Sequence, residues 1–158
     1  MIDGSCLCGG VKFQVAKVVG SMEICHCNRC RKKSGSSQII MARVLTKDFK
    51  FTEGIDLINS YAAPLLYSGS AYKSYFCSKC GSPTPPPKVD DDYLEIPAGL
   101  FDNDPGQKPD KHIFIEFVPS WDLISDNLPQ YTFRELIRER YQRELPESFE
   151  LKSHYDST

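Results

Sequence analysis

The sequence has no long apolar run: no segment approaches the roughly 18 consecutive apolar residues that a membrane-spanning helix needs. A strong excess of one charge is also missing, since the formal net charge is -2 over 158 residues. This balance disfavours a strongly basic nucleic-acid binder. The first residues carry no basic stretch followed by an apolar one, so we expect no secretory signal and a cytoplasmic location with reduced thiols. A chain of this length fits one domain.

Cysteine is absent outside three short clusters, which hold all seven cysteines of the chain. The clusters are Cys6 and Cys8, then Cys25, Cys27 and Cys30, then Cys77 and Cys80. With one or two residues between sulfurs, a short turn can aim two thiolates at a single ion. The odd number of cysteines and the cytoplasmic location disfavour a disulfide scaffold. The spacing therefore predicts metal sites, with zinc as the default ion.

Spacing alone leaves open how the sulfurs divide between two sites. The strongest single motif is Cys77-x-x-Cys80, because Gly81 after it tolerates the positive φ that such turns often need. The two divisions are Cys27, Cys30, Cys77 and Cys80 against Cys6, Cys8 and Cys25, or Cys6, Cys8, Cys77 and Cys80 against Cys25, Cys27 and Cys30. The second is mildly favoured, since its three remaining sulfurs lie on one short loop. Four thiolates close a tetrahedral site, whereas three leave one position open.

Short stretches of alternating apolar and polar residues predict β-strands along most of the chain. The predicted strands cover residues 11–15, 38–44, 49–51, 55–61, 72–76, 93–96 and 113–118. The proline-rich stretch 82–87 predicts a turn or extended loop, because proline cannot donate to a ladder. Many short strands without a supersecondary repeat indicate a mainly β fold.

One helix is predicted, near the end of the chain. Thr132 and Glu135 have the spacing of a capping box, and Leu136 and Tyr141 belong to an apolar series at helical spacing. We therefore expect residues 132–158 to form a helix and a polar tail packed on a domain of residues 1–131. The last residues, 153–158, are expected to be a loosely held tail.

Three strings around the cysteines carry a family resemblance. They are residues 4–11 (GSCLCGGV), 25–35 (CHCNRCRKKSG) and 76–83 (FCSKCGSP). Further matching strings are 98–102 (AGLFD), 112–115 (HIFI), 119–121 (PSW) and 126–129 (DNLP). In this combination the sequence resembles the glutathione-dependent formaldehyde-activating enzyme family, which also contains centromere protein V, from Gly4 to about Tyr131.

The resemblance implies a fold of several coiled antiparallel β-sheets organised around zinc, with two zinc ions per chain. It implies a structural zinc on Cys6, Cys8, Cys77 and Cys80, and a second, open zinc on Cys25, Cys27 and Cys30. In the family the second zinc is regarded as catalytic. The implied activity is that of a carbon-sulfur lyase, which makes or breaks adducts between a small aldehyde and a thiol such as glutathione, the expected co-substrate. The open position would accept the substrate sulfur as a thiolate.

A basic run surrounds the second cluster and would attract an anionic thiol. It consists of Arg29, Arg31, Lys32 and Lys33. Arg31 is the favoured contact because a guanidinium binds a carboxylate in a bidentate manner. His26 lies between two expected ligands and should point away from the metal. His112 is expected to be a structural histidine.

Other assignments compete with these. Trp121, Tyr61, Tyr72 and Tyr75 could wall a pocket, although core packing is the usual role of such aromatics. The main alternative to an enzyme is a zinc-stabilised module that binds nucleic acid or a protein partner through the basic run. A redox or zinc sensor that uses the incomplete trio of sulfurs is a third hypothesis.

Overall fold

The computed structural model describes residues 1–63 and 72–152, and β-strands dominate this part of the chain. Ten short strands are present in it: β1 (Ile2–Ser5), β2 (Lys12–Val15), β3 (Met22–Cys25), β4 (Ile39–Leu45), β5 (Phe49–Glu53), β6 (Ile58–Ala63), β7 (Tyr72–Cys77), β8 (Tyr93–Pro97), β9 (Lys111–Ile113) and β10 (Gln130–Tyr131). Two α-helices accompany them, α1 (Asn28–Ser34) and α2 (Phe133–Tyr141). The prediction of a mainly β fold with a C-terminal helix is confirmed.

The described strands form three sheets. Their orders are β1-β2-β5, β10-β9-β3-β4-β8, and β6-β7. The first and third sheets are antiparallel. In the five-stranded sheet, however, β9 runs parallel to both β3 and β10. That sheet is mixed, whereas the family resemblance implied antiparallel sheets; a long crossover separates β3 from β9, as parallel pairing requires.

Period-two burial explains why the predicted strands form. In β2, Phe13 and Val15 are buried while Lys12 is exposed, and in β8 the buried residues include Leu94 and Ile96. These side chains belong to one hydrophobic cluster shared by the three-stranded and five-stranded sheets. A second cluster forms around β3, β9 and α2 and contains two cysteines of the middle cluster. Cys25 and Cys27 are therefore buried in the interior, within the second hydrophobic cluster.

The prediction of a strand over residues 113–118 is wrong beyond its first residue. Strand β9 ends at Ile113, Phe114 has a left-handed backbone with φ 58°, and a 3-10 helix covers Ile115–Phe117. The Phe114 ring stacks on Phe133 of α2, with ring centroids 5.4 Å apart. The chain thus turns at Phe114, where the ring contacts α2, although the alternation of apolar and polar residues alone predicts an extended strand.

Helix α2 begins as the sequence predicts. The Thr132 side chain accepts a hydrogen bond from the Glu135 backbone N–H, and the Glu135 carboxylate accepts one from the Thr132 backbone. Leu136 on this helix is buried in the second hydrophobic cluster. The predicted tail, residues 153–158, lies outside the described residues. None of the helices described here has both the length and the apolar composition that crossing a membrane requires.

Candidate metal centres

The first and last cysteine clusters meet at one place. Cys6 and Cys8 lie in the turn between β1 and β2, and Cys77 ends β7 just before Cys80. The sulfurs of Cys6 and Cys8 are 3.6 Å apart, and those of Cys8 and Cys77 are 3.9 Å apart. All four sulfur atoms lie within 4.8 Å of one another. We call this group the four-sulfur cluster.

Two tight turns hold the four-sulfur cluster. In the first turn Gly9 N–H donates to Cys6 O at 2.8 Å, and Val11 N–H donates to Cys6 Sγ at 3.3 Å. In the second, Gly81 N–H donates to Cys77 O at 2.9 Å, with Gly81 at φ 75°. Gly81, which the sequence analysis expects to tolerate a positive φ, does adopt one. With this geometry the two turns direct their four sulfur atoms toward a common centre.

Ser82 links the two turns. Its hydroxyl accepts a hydrogen bond from Leu7 N–H at 3.0 Å and lies 3.5 Å from Cys80 Sγ. Hydrogen bonding to the Ser82 hydroxyl and backbone lowers the pKa of Cys80 to about 5. A lowered thiol pKa favours the thiolate, which is the form that ligates metal.

The close packing of two glycines brings a third turn onto the four-sulfur cluster. Gly54 has φ 72°, and a Cβ added to it would lie 1.9 Å from the carbonyl oxygen of Gly10. The following residues continue the contact, since Ser78 N–H donates to Leu57 O at 2.8 Å. The turn before β6 therefore fits only with glycine at position 54.

The middle cluster lies at the junction of β3 and α1. Cys25 ends β3, Cys27 is the N-cap of α1, and Cys30 lies in the first turn of that helix. The Cys27 sulfur accepts a hydrogen bond from Cys30 N–H at 3.5 Å. The three sulfur atoms lie within 4.8 Å of one another. We call this group the three-sulfur cluster.

The three-sulfur cluster is deeply buried. Cys25 and Cys27 are only 5% and 2% exposed. Hydrogen bonds from the Cys25 and Cys30 side chains lower the pKa of Cys27 to about 3, assisted by Cys30 N–H and the Arg29 charge. Its contacts with Cys27 and Cys30, together with burial, raise the pKa of Cys25 well above its ordinary value. These pKa shifts favour one thiolate, that of Cys27, even without a bound metal ion.

Both clusters fit a thiophilic ion by the chemistry of their donors. Sulfur-only sets of four or three ligands, converging within 4.8 Å, are the donors that zinc prefers. The grouping in the structure is the division that isolates Cys25, Cys27 and Cys30. The zinc-ribbon division is not formed among the described residues, because Cys27 and Cys30 belong to a different group from Cys77 and Cys80.

The basic run is arranged on α1, a helix that the sequence analysis missed. The Arg29 guanidinium carbon lies 4.2 Å from the centroid of the Tyr72 ring. Arg31, the predicted anion contact, instead donates to Phe117 O at 3.0 Å and to Asn28 Oδ1 at 3.2 Å. Arg31 therefore ties α1 to the 3-10 helix, and Arg29 is the arginine of the basic run that lines the cavity beside the sulfurs.

That cavity has a volume of about 300 Å³. Its walls come from β3, α1, β4, β7, β8, β9 with the residue after it, and α2. It is lined by Cys25, Cys27, Cys30, Arg29, Tyr72, Met41, Ile113, Phe114, Phe133, Leu136 and Ile137, and by the charged residues Glu23, Glu95 and Arg140. Burial is the main cause that raises the pKa of Tyr72 to about 12, so its hydroxyl stays protonated at neutral pH. We call this space the sulfur cavity.

A smaller cavity of about 220 Å³ adjoins the same residues. Arg29 and Tyr72 line both cavities, and Lys32 and Lys33 line the smaller one together with Tyr61. Of the four aromatics considered as pocket walls, Tyr72 and Tyr61 thus line cavities. Trp121 does not belong to the core, since it is 69% exposed. We call this space the basic cavity.

A chain of two buried histidines and a partly exposed aspartate lies behind the three-sulfur cluster. His26 Nε2 and His112 Nδ1 are 2.8 Å apart, and His112 Nε2 lies 3.1 Å from both carboxylate oxygens of Asp126. His26 and His112 are 0% and 3% exposed. His26 therefore points into the protein, and His112 bonds to both His26 and Asp126, an arrangement that fits the structural role expected for it. Their direct contact was not predicted, because no spacing in the sequence pairs residues so far apart.

The chain matches a known family over most of its length. The family whose model matches is described as glutathione-dependent formaldehyde-activating enzyme, and the match covers residues 1–117. The chain belongs to this family. A relative of this glutathione-dependent formaldehyde-activating family from Halomonas elongata is 27% identical over 126 residues, covering 77% of this chain and 79% of the relative. The relative's name provisionally assigns it the same activity.

A solved structure shares the fold. The crystal structure of a Rhodobacter sphaeroides protein matches with a TM-score of 0.50 and 19% sequence identity, covering 82% of this chain and 99% of that one. At this identity the likeness concerns the fold alone. The family membership, in contrast, supports glutathione and formaldehyde chemistry.

Proposed function

We propose that this member of the family is an enzyme that makes or breaks adducts between a glutathione-like thiol and a small aldehyde, a reaction of the carbon-sulfur lyase type. The observation that carries the proposal is the three-sulfur cluster, which converges within 4.8 Å and opens onto the sulfur cavity beside Arg29. The family description supports the same pair of reactants.

The two clusters would hold two zinc ions with different tasks. The four-sulfur cluster offers a complete tetrahedral set, whereas Cys25, Cys27 and Cys30 leave one coordination position for a substrate. When bound at the second cluster, zinc supplies a Lewis acid that favours the thiolate form of a thiol at neutral pH. The catalytic contribution is therefore assigned to the second cluster.

The side chains around the sulfurs would bind and orient the thiol. Arg29 and Lys33 line the basic cavity next to the three-sulfur cluster, and glutathione carries carboxylates that such cations bind. Tyr72 keeps its proton at neutral pH and can donate a hydrogen bond at the boundary of the two cavities. These residues would hold the thiol so that its sulfur faces the cysteines, which lowers the entropic cost of reaction.

The bond changes balance without a redox partner. The thiolate sulfur forms a bond to the carbonyl carbon, the carbon-oxygen π pair moves to oxygen, and that oxygen takes a proton. The reverse reaction breaks the carbon-sulfur bond and returns the proton. Burial of the cysteines limits access of bulk water to this space.

Exchange NMR with ¹³C-formaldehyde and glutathione tests the proposal, because it measures adduct formation and breakdown at equilibrium. We expect the wild-type protein to accelerate exchange and Cys27→Ser to lose at least tenfold while it keeps its circular dichroism spectrum. Arg29→Gln should raise the KM for glutathione, whereas Arg138→Gln, a surface charge change on α2, should not. A folded Cys27→Ser protein with unchanged exchange rates would refute the catalytic assignment.

The nucleic-acid alternative draws less support from the structure. It depends on the basic run, but Arg29 lies against Tyr72 and Arg31 bonds to the backbone of Phe117. The Nε atoms of both arginines are buried. Phosphate binding needs cations that reach solvent. The enzymatic function is therefore the better supported of the two.

A further inference from the structure

One wall of the sulfur cavity comes from a part of the chain that the family model does not cover. The matched region ends at residue 117, whereas α2 spans Phe133–Tyr141. Phe133, Leu136 and Ile137 on this helix line the cavity together with the three cysteines. The part of the wall that α2 forms therefore lies outside the residues that the family model matches.

Part of the cavity lining is apolar. Six apolar side chains from β4, β9, the residue after β9 and α2 line it: Met41, Ile113, Phe114, Phe133, Leu136 and Ile137. Leu136 is 1% exposed and Phe133 is 5% exposed, so the wall is firmly packed. An apolar surface of this kind favours an apolar group over water.

Three further charged residues of the cavity lining are already paired. Arg140 Nη2 donates to the Glu23 carboxylate, and Arg43 Nη2 lies 3.4 Å from Glu95 Oε1. Glu23, Glu95 and Arg140 all line the cavity. Because these charges neutralise one another, they offer little net attraction to a charged substituent.

The cavity is larger than formaldehyde needs. Its volume is about 300 Å³, which is about ten times the share of one water molecule in the liquid. Formaldehyde has a single carbon and no substituent to fill such a space. An aldehyde that carries a chain of several carbons would fill it and displace water from apolar walls. Burial of each methylene group favours binding roughly fourfold.

We propose that the preferred substrates of this protein are thiol adducts of aldehydes with an apolar substituent of several carbons, and that Phe133, Leu136 and Ile137 of α2 determine this preference. The inference depends on the proposed function, since it assigns the sulfur cavity to the aldehyde and the basic cavity to the thiol. The bond changes are those given above, with sulfur adding to the carbonyl carbon and the oxygen taking a proton.

The test uses the full chain with zinc, glutathione and an aldehyde series of formaldehyde, acetaldehyde, butanal and hexanal in exchange NMR. We expect kcat/KM of the wild-type protein to rise from formaldehyde to butanal by roughly fourfold per methylene group. Ile137→Phe fills part of the cavity, so it should lower the butanal-to-formaldehyde ratio of kcat/KM by at least tenfold. Arg138→Phe is the matched control, since it adds the same side chain at an exposed position of α2 and should leave the ratio unchanged.

A second variant covers the case in which Ile137→Phe does not fold. Ile137→Ala enlarges the cavity and should shift the optimum toward hexanal. Two results would overturn the inference and leave the proposed function in place: formaldehyde as the best wild-type substrate, or equal losses for all aldehydes in a folded Ile137 variant. If the wild-type protein accelerates exchange of no adduct, both the inference and the proposed function fail.

Discussion

The four-sulfur and three-sulfur clusters use the same ligand atom in different surroundings. The four-sulfur cluster joins turns from two different sheets, and its inter-turn pair Cys8 and Cys77 is separated by 69 positions in the chain. The three-sulfur cluster is local, since Cys25 and Cys30 flank a single strand-to-helix junction. A cross-link between distant residues restricts the unfolded chain more than a local one does. We therefore expect the first cluster to stabilise the fold more than the second.

The largest difference between the clusters is expected from serine substitutions. Cys77→Ser removes a ligand of the four-sulfur cluster, and the folding free energy linked to a structural zinc is about 10–16 kcal/mol in small zinc domains. That is as large as the total stability of a typical domain, about 5–15 kcal/mol. We expect this variant to unfold by circular dichroism. Cys27→Ser should stay folded and fall from two zinc ions to one by metal counting.

Two outcomes would break this comparison. Loss of the fold in Cys27→Ser with retention in Cys77→Ser would reverse the roles of the clusters. A single zinc ion in the wild-type protein, released by both Cys27→Ser and Cys77→Ser, would show that one ion is shared between residues assigned to different clusters. Metal counting on both purified variants separates these results.

A matched glycine pair sharpens the comparison without changing a ligand. Gly54 packs on the four-sulfur cluster and Gly35 ends α1 beside the three-sulfur cluster, with φ of 72° and 67°. An alanine Cβ meets Gly10 O at position 54 but meets nothing within 4 Å at position 35. We expect Gly35→Ala to lose about 1–2 kcal/mol from left-handed strain and Gly54→Ala to lose about 1–3 kcal/mol more from overpacking. Chemical denaturation measures both, and equal losses would contradict the packing argument.

The strands and the helix that the sequence predicts share a visible period. Residues of β2 alternate between buried and less buried positions, and the capping box of Thr132 and Glu135 marks the start of α2. Strand β3 gives no such signal, because all four residues of Met22–Cys25 are buried. Helix α1 was missed for the opposite reason: it has no buried residue, so no apolar series marks it.

The candidate site was predictable in composition but not in its surroundings. Cysteine spacing indicated the candidate ligands and left two divisions open, and the family resemblance selected the grouping of sulfur atoms that the structure forms. The sulfur cavity depends on α2 reaching back to β3, and the contact of His26 with His112 joins residues 86 positions apart. Such contacts result from tertiary packing, which local patterns do not encode.

The histidine pair behind the three-sulfur cluster should have a moderate effect. His112→Leu leaves His26 Nε2 buried without its partner at 2.8 Å, and an unpaired buried polar group costs about 1–3 kcal/mol. Asp126→Asn should cost less, because the Asp126 side chain is 48% exposed and its amide oxygen can still accept a hydrogen bond. Thermal unfolding of both variants gives the order, and a larger loss in Asp126→Asn would contradict it. We also expect weaker zinc retention in His112→Leu, since His26 lies between two candidate ligands.

The smallest effect is expected at the start of α2, the helix that belongs to the three-sulfur side of the molecule. Thr132→Ala removes the cap that accepts from Glu135 N–H and should lower the free energy of unfolding by about 1 kcal/mol. Thr132→Ser keeps the cap and is the control.

The contribution of the capping box should depend on pH. Hydrogen bonds from the Thr132 backbone and side chain lower the pKa of Glu135. The stabilising contribution of Glu135 is therefore complete above the ordinary glutamate pKa of 4.5 and is lost as the pH falls through the lowered value. The stability difference between Thr132→Ala and the wild-type protein should therefore shrink in acid. A difference that persists there would mean that the glutamate half of the capping box does not contribute.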